Sequence, residues 1–154
     1  MEILEVDSKT YAEAIPNPSH VFNSAAFNAL NASKCDAVYY LLFKDVKYRL
    51  GIIIGLRNNE LINPFSASFG GFDFLRLDIK LFQIDLALEA LFVWAKNKAF
   101  VGIKILPPSA FYSPDFSAKI TNCFFRAGFE TKNVEVNYHF ETKINKIDEK
   151  LDNL

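Results

Sequence analysis

No apolar run in this sequence approaches the roughly 18 residues of a membrane span. The longest candidate, Leu81 to Ala95, is interrupted by Gln83, Asp85 and Glu89. Net charge is nearly absent too: 17 Lys and Arg stand against 18 Asp and Glu, a balance of −1. A protein held to duplex nucleic acid by charge is normally strongly basic, so the balance argues against that class. Cysteine is scarce. Cys35 and Cys123 form no Cys-x-x-Cys motif, and with His20 and His139 they would meet around a metal only by tertiary coincidence, so no metal site is expected. The first residues, Met1-Glu2-Ile3-Leu4-Glu5, are acidic and lack the basic start of a secretory signal. Repeats, low-complexity tracts and internal linkers are missing as well. These absences leave a soluble, cytoplasmic α+β or α/β domain as the expectation, with no disulfide.

What the chain does have is aromatic bulk: 16 Phe, six Tyr and one Trp in 154 residues, with 51% apolar and 23% charged residues. A packed, Phe-rich core is therefore within reach and global disorder is not expected. Ile3-Leu4-Glu5-Val6 alternates like an edge strand. Asn17-Pro18-Ser19 reads as a helix start, and Val21, Phe22, Ala25, Ala26, Ala29 and Leu30 make one stripe of a helix over about 18–32. Two β-branched and aromatic stretches, 37–43 and 48–57, flank a short polar turn and predict a β-hairpin. The second stretch is apolar on both faces, as in a central strand covered on both sides, and Gly51 and Gly55 within it imply a bulge or a close backbone approach. A further short strand can end near residue 63.

Asp78 can cap a helix over about 79–98, with Leu81, Ile84, Leu88, Leu91, Phe92 and Ala95 inward, a second buried row of Phe82, Leu86 and Val93, and Gln83, Glu89 and Lys96 on the wet side. The strand that follows, Phe100–Leu106, stops at Pro107-Pro108. Ser113-Pro114-Asp115 opens the last helix, with Phe116, Ile120, Cys123, Phe124 and Ala127 inward and Gly128 as its left-handed stop. Residues 135–142 alternate as a late strand, and the charged tail 143–154 is helical or frayed. A hairpin followed by strand–helix–strand units requires a mixed sheet with at least one parallel pairing.

This order resembles the GNAT fold of acyl-CoA N-acyltransferases, and Ala127-Gly128-Phe129 after a late helix is a feature of that fold. The segments 63–72 (Asn-Pro-Phe-Ser-Ala-Ser-Phe-Gly-Gly-Phe), Trp94-Ala95 and 107–112 (Pro-Pro-Ser-Ala-Phe-Tyr) resemble the N-terminal lobe of Fem-type transferases. Those proteins join two such lobes and transfer amino acids or other acyl groups to amines in cell-envelope precursors. The resemblance implies one GNAT-like domain over 1–142, and acyl or aminoacyl transfer to an amine. It departs in two respects. The chain ends where a second lobe would begin, which implies a second lobe on another chain or a homodimer. It also lacks the R/Q-x-x-G-x-G/A loop that grips CoA pyrophosphate at a helix N-terminus. Acyl-CoA remains a possible cofactor only without that signature, and a non-catalytic binding lobe or split subunit is the rival reading.

Within the loop, Ser66, Ser68, Phe69, Gly70, Gly71 and Phe72 are candidate ligand-binding residues, against the alternative of a tight connection whose phenylalanines plug the core. Pro108 and Tyr112 follow a parallel strand, where α/β sheets bind ligands. Tyr112 is a candidate general acid, and the alternative is a buried aromatic with a bonded hydroxyl. His139 is a candidate base for the attacking amine, and the alternative is an exposed strand histidine. His20 is given no catalytic role, and Cys123 reads as core. A homodimer formed at the edge strand around 134–142 is the expected assembly, with the folded-back tail as the alternative cover.

Overall fold

A computed structural model describes residues 1–76 and 78–134. The predicted late strand with His139 in it, the dimer edge built on it and the tail 143–154 lie outside the described residues. The described chain is a mixed α+β protein. Its strands are β1 (Glu2–Val6), β2 (Ala37–Lys44), β3 (Tyr48–Arg57), β4 (Glu60–Asn63), β5 (Asp73–Phe74) and β6 (Gly102–Ile105). Its helices are α1 (Ser8–Ala14), α2 (Ala25–Leu30), α3 (Leu81–Asn97) and α4 (Pro114–Arg126). The sheet order is β1-β2-β3-β4-β6, with β5 also on β3. Among the described residues every pairing is antiparallel except β4 with β6, which is parallel and joined through α3.

The predicted hairpin is β2–β3, with Tyr40 opposite Ile53 and Leu42 opposite Gly51. β3 alternates between two cores. Leu50, Ile52 and Ile54 join Leu41, Phe43, Leu61 and the inner faces of α3 and α4. Ile53 faces the other way, with Tyr40, Leu42, Tyr11, Ile15, Ala25 and Phe65. The strand is covered on both faces, which is why it carries no polar alternation. Both of its glycines mark close approach. A β-carbon on Gly51 would lie 2.8 Å from the Tyr11 hydroxyl, and one on Gly55 2.7 Å from the Phe65 ring.

Three expectations are corrected. The helix over 18–32 is instead a 3-10 turn (Val21–Asn23), the short α2 and a second 3-10 turn (Ala32–Lys34). Ser24 stays extended and its Oγ accepts the Phe27 N–H at 3.2 Å, so the helix starts there and not at Asn17. Of the expected stripe Ala25 is buried, but Val21, Ala26, Ala29 and Leu30 are exposed, while Asn28 is buried and donates to the carbonyls of Phe22 and Ser24. α3 starts after Lys80, not at Asp78, because Gln83 Oε1 accepts the Lys80 N–H at 3.0 Å. That cap buries Gln83, which was expected to be wet. The apolar faces of α3 are the third correction, since Phe82, Leu86 and Val93 of the second row are exposed, and so is Leu81, expected inward on the first. The helix packs along the narrower stripe of Ile84, Ala87, Leu88, Leu91 and Ala95. The helix α1 and the two-residue β5 had no counterpart in the sequence reading. Gly128, with φ +85°, ends α4 as expected. Among the described residues no helix is long and apolar enough to cross a membrane.

Candidate functional site

The site grows from a break in the sheet. One edge of β3 pairs with β4 from Gly55 onward and with β5 at Leu50 and Gly51. Between them no strand among the described residues covers that edge, and the Asn63 side chain takes over: its Nδ2 donates to the Ile53 carbonyl at 2.7 Å. Asn63 Oδ1 accepts the Gly71 N–H at 2.6 Å, so one buried amide fastens the sheet to the far end of the 64–72 loop. The Gly70 N–H donates to the Leu106 carbonyl at 2.9 Å, which ties the loop to the carboxyl end of β6. The two glycines serve different needs. Gly71 has φ +101°, where a side chain is strained. Gly70 is required by space, because its β-carbon would sit 2.7 Å from Asn63 Oδ1.

This fastening delivers an aromatic group to the carboxyl ends of β4 and β6, the place where parallel strands present ligand sites. The Phe69 ring lies 5.0 Å from Tyr112 and 4.8 Å from the His20 imidazole, centroid to centroid. Phe22 packs on the same ring at 5.1 Å. Tyr112 is 58% exposed, so its phenol faces solvent and is not the buried aromatic of the alternative reading. Pro108 stands beside Gly71, its Cδ 3.5 Å from where a Gly71 β-carbon would be.

Beneath His20 lies a buried polar group. Asp73 Oδ1 accepts the Ser19 N–H at 2.8 Å and the Ser19 hydroxyl at 2.6 Å. Asp73 pairs with Gly51 across the β5–β3 ladder, so its side chain shares the face of the sheet on which the Tyr11 hydroxyl covers Gly51. Four buried polar atoms there have no protein partner among the described residues: Tyr11 Oη, Asp73 Oδ2 and both ring nitrogens of His20. Native interiors rarely leave such groups unpaired, and their clustering marks a functional candidate. Burial pushes the Asp73 carboxyl above its ordinary range against the opposing pull of the Ser19 bonds. Burial pushes the Tyr11 phenol up, reinforced by the Asp73 charge. It pushes His20 down, against the Asp73 charge, and so favours the neutral imidazole.

The first half of the loop faces a different feature. Lys34, Pro64, Phe65, Ser66, Ala67 and Ser68 line an open depression of about 540 Å³. Lys34 Nζ donates to Ser66 Oγ at 2.6 Å, and Ser66 Oγ donates to Asn31 Oδ1 at 3.0 Å.

The structure therefore brings Phe69, Gly70, Gly71, Pro108 and Tyr112 together and sets Ser66 and Ser68 in the separate depression. Phe72 belongs to the core, packed on Phe43 at 5.8 Å. The sequence pattern gave His20 no catalytic role, placed Ser19 in a helix start, and offered no reading of Asp73 or Tyr11. The one available signal was Gly51, whose missing side chain announced a close neighbour without naming it. Among the described residues no three His, Cys, Asp or Glu side chains gather where they could hold a metal ion. No family model, curated protein or solved structure matches the chain.

Proposed function

We propose that the chain is a GNAT-like lobe that transfers an acyl or aminoacyl group to an amine at the carboxyl ends of β4 and β6. The observation that carries this reading is the convergence of Phe69, Tyr112 and His20 beside a buried carboxylate at the end of the parallel strand pair. In such a transfer the neutral amine attacks the acyl carbonyl, the C–N bond forms and the bond to the leaving oxygen or sulfur breaks. His20, held neutral by burial with both ring nitrogens out of solvent, takes the amine proton through a bridging water rather than by direct contact. The exposed Tyr112 phenol gives a proton to the leaving atom, and the Phe69 ring packs against both side chains. The experiment is a transfer assay on the full chain with acyl thioesters and aminoacyl esters as donors and a primary amine as acceptor. Turnover that falls by about 10²–10⁴ in His20→Gln and in Tyr112→Phe supports the assignment. Absence of turnover with both donor classes overturns it.

The second reading is a non-catalytic binding lobe, and one observation favours it. The connection from β4 to α3 runs over 64–80, buries Phe65 and Phe72 and has no basic residue within Ser66–Gly71. A CoA-type pyrophosphate grip at a helix N-terminus has a different build. Binding of a donor without turnover would select this reading.

A further inference from the structure

We infer that the edge of β1 and the exposed row of α3 form one surface on which a second copy of the chain docks about a twofold axis. The inference is independent of acyl transfer, since a non-catalytic lobe would pair in the same way. Two features meet there. β1 ends the sheet: β2 takes its inner edge, and among the described residues no other backbone hydrogen bond reaches residues 2–6. An open strand edge is a template for another strand. Beside it, Met1 and Ile3 of β1 and Leu86, Ala90 and Val93 of α3 line a groove of about 330 Å³. Leu86 is 40% exposed and Val93 54%. Phe82, Leu86, Glu89, Val93 and Lys96 are spaced alternately by four and three residues along the helix. That spacing is the seam along which two helices pack together.

Charge identifies the occupant as a second copy. Glu89 and Lys96 are exposed, and neither has a charged partner among the described residues. A uniformly acidic or basic partner would satisfy one and repel the other, whereas a copy running the opposite way satisfies both. The direction and level of the two elements fit this. α3 joins the parallel strands β4 and β6 and so runs against them; β1 also runs against β4, so β1 and α3 point the same way. The Glu5–Lys98 ion pair at 2.9 Å fixes their relative height. A strand rises about 3.3 Å per residue and a helix about 1.5 Å, so Ile3 lies about four helical residues before Lys98, beside Trp94 and Val93. A twofold axis next to Ile3 pairs β1 antiparallel with its copy and sets the two α3 helices antiparallel about Val93. Glu89 of one protomer then faces Lys96 of its partner, and the contact occurs twice. Such an isologous contact closes on itself, so it uses both open edges and leaves none for a third copy.

The test is sedimentation equilibrium of the full chain at micromolar concentrations, joined to amide hydrogen exchange. The expected mass is twice the 17.5 kDa of the chain. Glu89→Lys and Lys96→Glu each set like charges face to face in both contacts, and each is expected to weaken the dimer about tenfold. An equimolar mixture of the two variants restores opposite charges and is expected to dimerise within about threefold of wild type, a recovery that damage to the fold would not give. Protection of the residue 2–6 amides should rise with concentration in the wild-type chain and not in Val93→Lys, which is expected to be a monomer. A wild-type chain that stays monomeric overturns the inference: protected edge amides would then mean cover by the chain's own residues, and unprotected ones an edge left to another protein. A dimer without concentration-dependent protection of residues 2–6 overturns it as well. So does a dimer that neither single variant weakens, or one that the mixture fails to restore while both variants are folded by circular dichroism.

Discussion

The Tyr11 hydroxyl covers Gly51, and a β-carbon on Gly51 would meet it at 2.8 Å and Ile15 Cδ1 at 2.5 Å. The glycine in the central strand is the space into which α1 packs its one fully buried tyrosine. Gly51→Ala is expected to destabilise by about 1–3 kcal/mol, the cost of forcing bulk into a filled core. Tyr11→Phe should behave oppositely. It removes a buried hydroxyl that has no protein partner and is expected to be neutral or stabilising by about 1 kcal/mol. Urea unfolding of both variants checks this, and a clear loss of stability in Tyr11→Phe would mean that the hydroxyl has a partner.

Asn63 should matter more than any serine of the loop. It is buried and serves the Ile53 carbonyl and the Gly71 N–H at once. Asn63→Ala leaves both without a partner, and the expected loss is about 2 kcal/mol or more. Ser68→Ala, at an exposed position, should stay within about 0.5 kcal/mol of wild type. Equal unfolding midpoints for the two variants would show that Asn63 does not hold the loop.

The pH dependence of stability should carry two opposed contributions from the polar group under His20. Asp73 faces Tyr11 from α1 and Ser19, His20 and Asn23 from the segment after it. Burial raises its carboxyl above the ordinary 3.8, so its contribution to stability is fully present below that value and is lost as pH rises through the folded value. Burial lowers His20 below 6.5, so its contribution is present above 6.5 and is lost as pH falls through the folded value. Urea midpoints across mildly acidic to neutral pH should therefore lose the first dependence in Asp73→Asn and the second in His20→Gln. Profiles of the two variants parallel to that of wild type would contradict the assignment.

The cysteines should differ in reactivity. Cys123 is fully buried, and burial, with Asp85 adding to it, pushes its thiol up to about 11. Cys35 is only half-buried, and its thiol is raised chiefly by burial. A thiol reagent at neutral pH should label Cys35 first and reach Cys123 only as the protein unfolds. Faster labelling of Cys123, read by mass spectrometry of peptides, would contradict its place in the core.

Residue pattern alone determined the parts of this protein that obey a period. The β2–β3 hairpin, the doubly covered strand β3, the cores of α3 and α4 and the stop at Gly128 follow from β-branched runs, helical spacing and glycine, each acting over a few neighbouring residues. The parallel pairing of β4 with β6 followed from element order. Tertiary structure decided the rest. Ser24 and Gln83 moved helix starts through single side-chain bonds that several alternative caps could equally have made. β5 is two residues long, too short for any period, and exists because β3 leaves part of an edge open to it. The candidate site depends on this kind of long-range choice. Asp73 lies 54 positions from Ser19, and Lys34 lies 32 from Ser66, yet each pair is in direct hydrogen-bond contact. Periodicity reports which face a residue takes on its own element. It carries no information on which distant polar group will share that face, because the partner is selected by packing across the sheet.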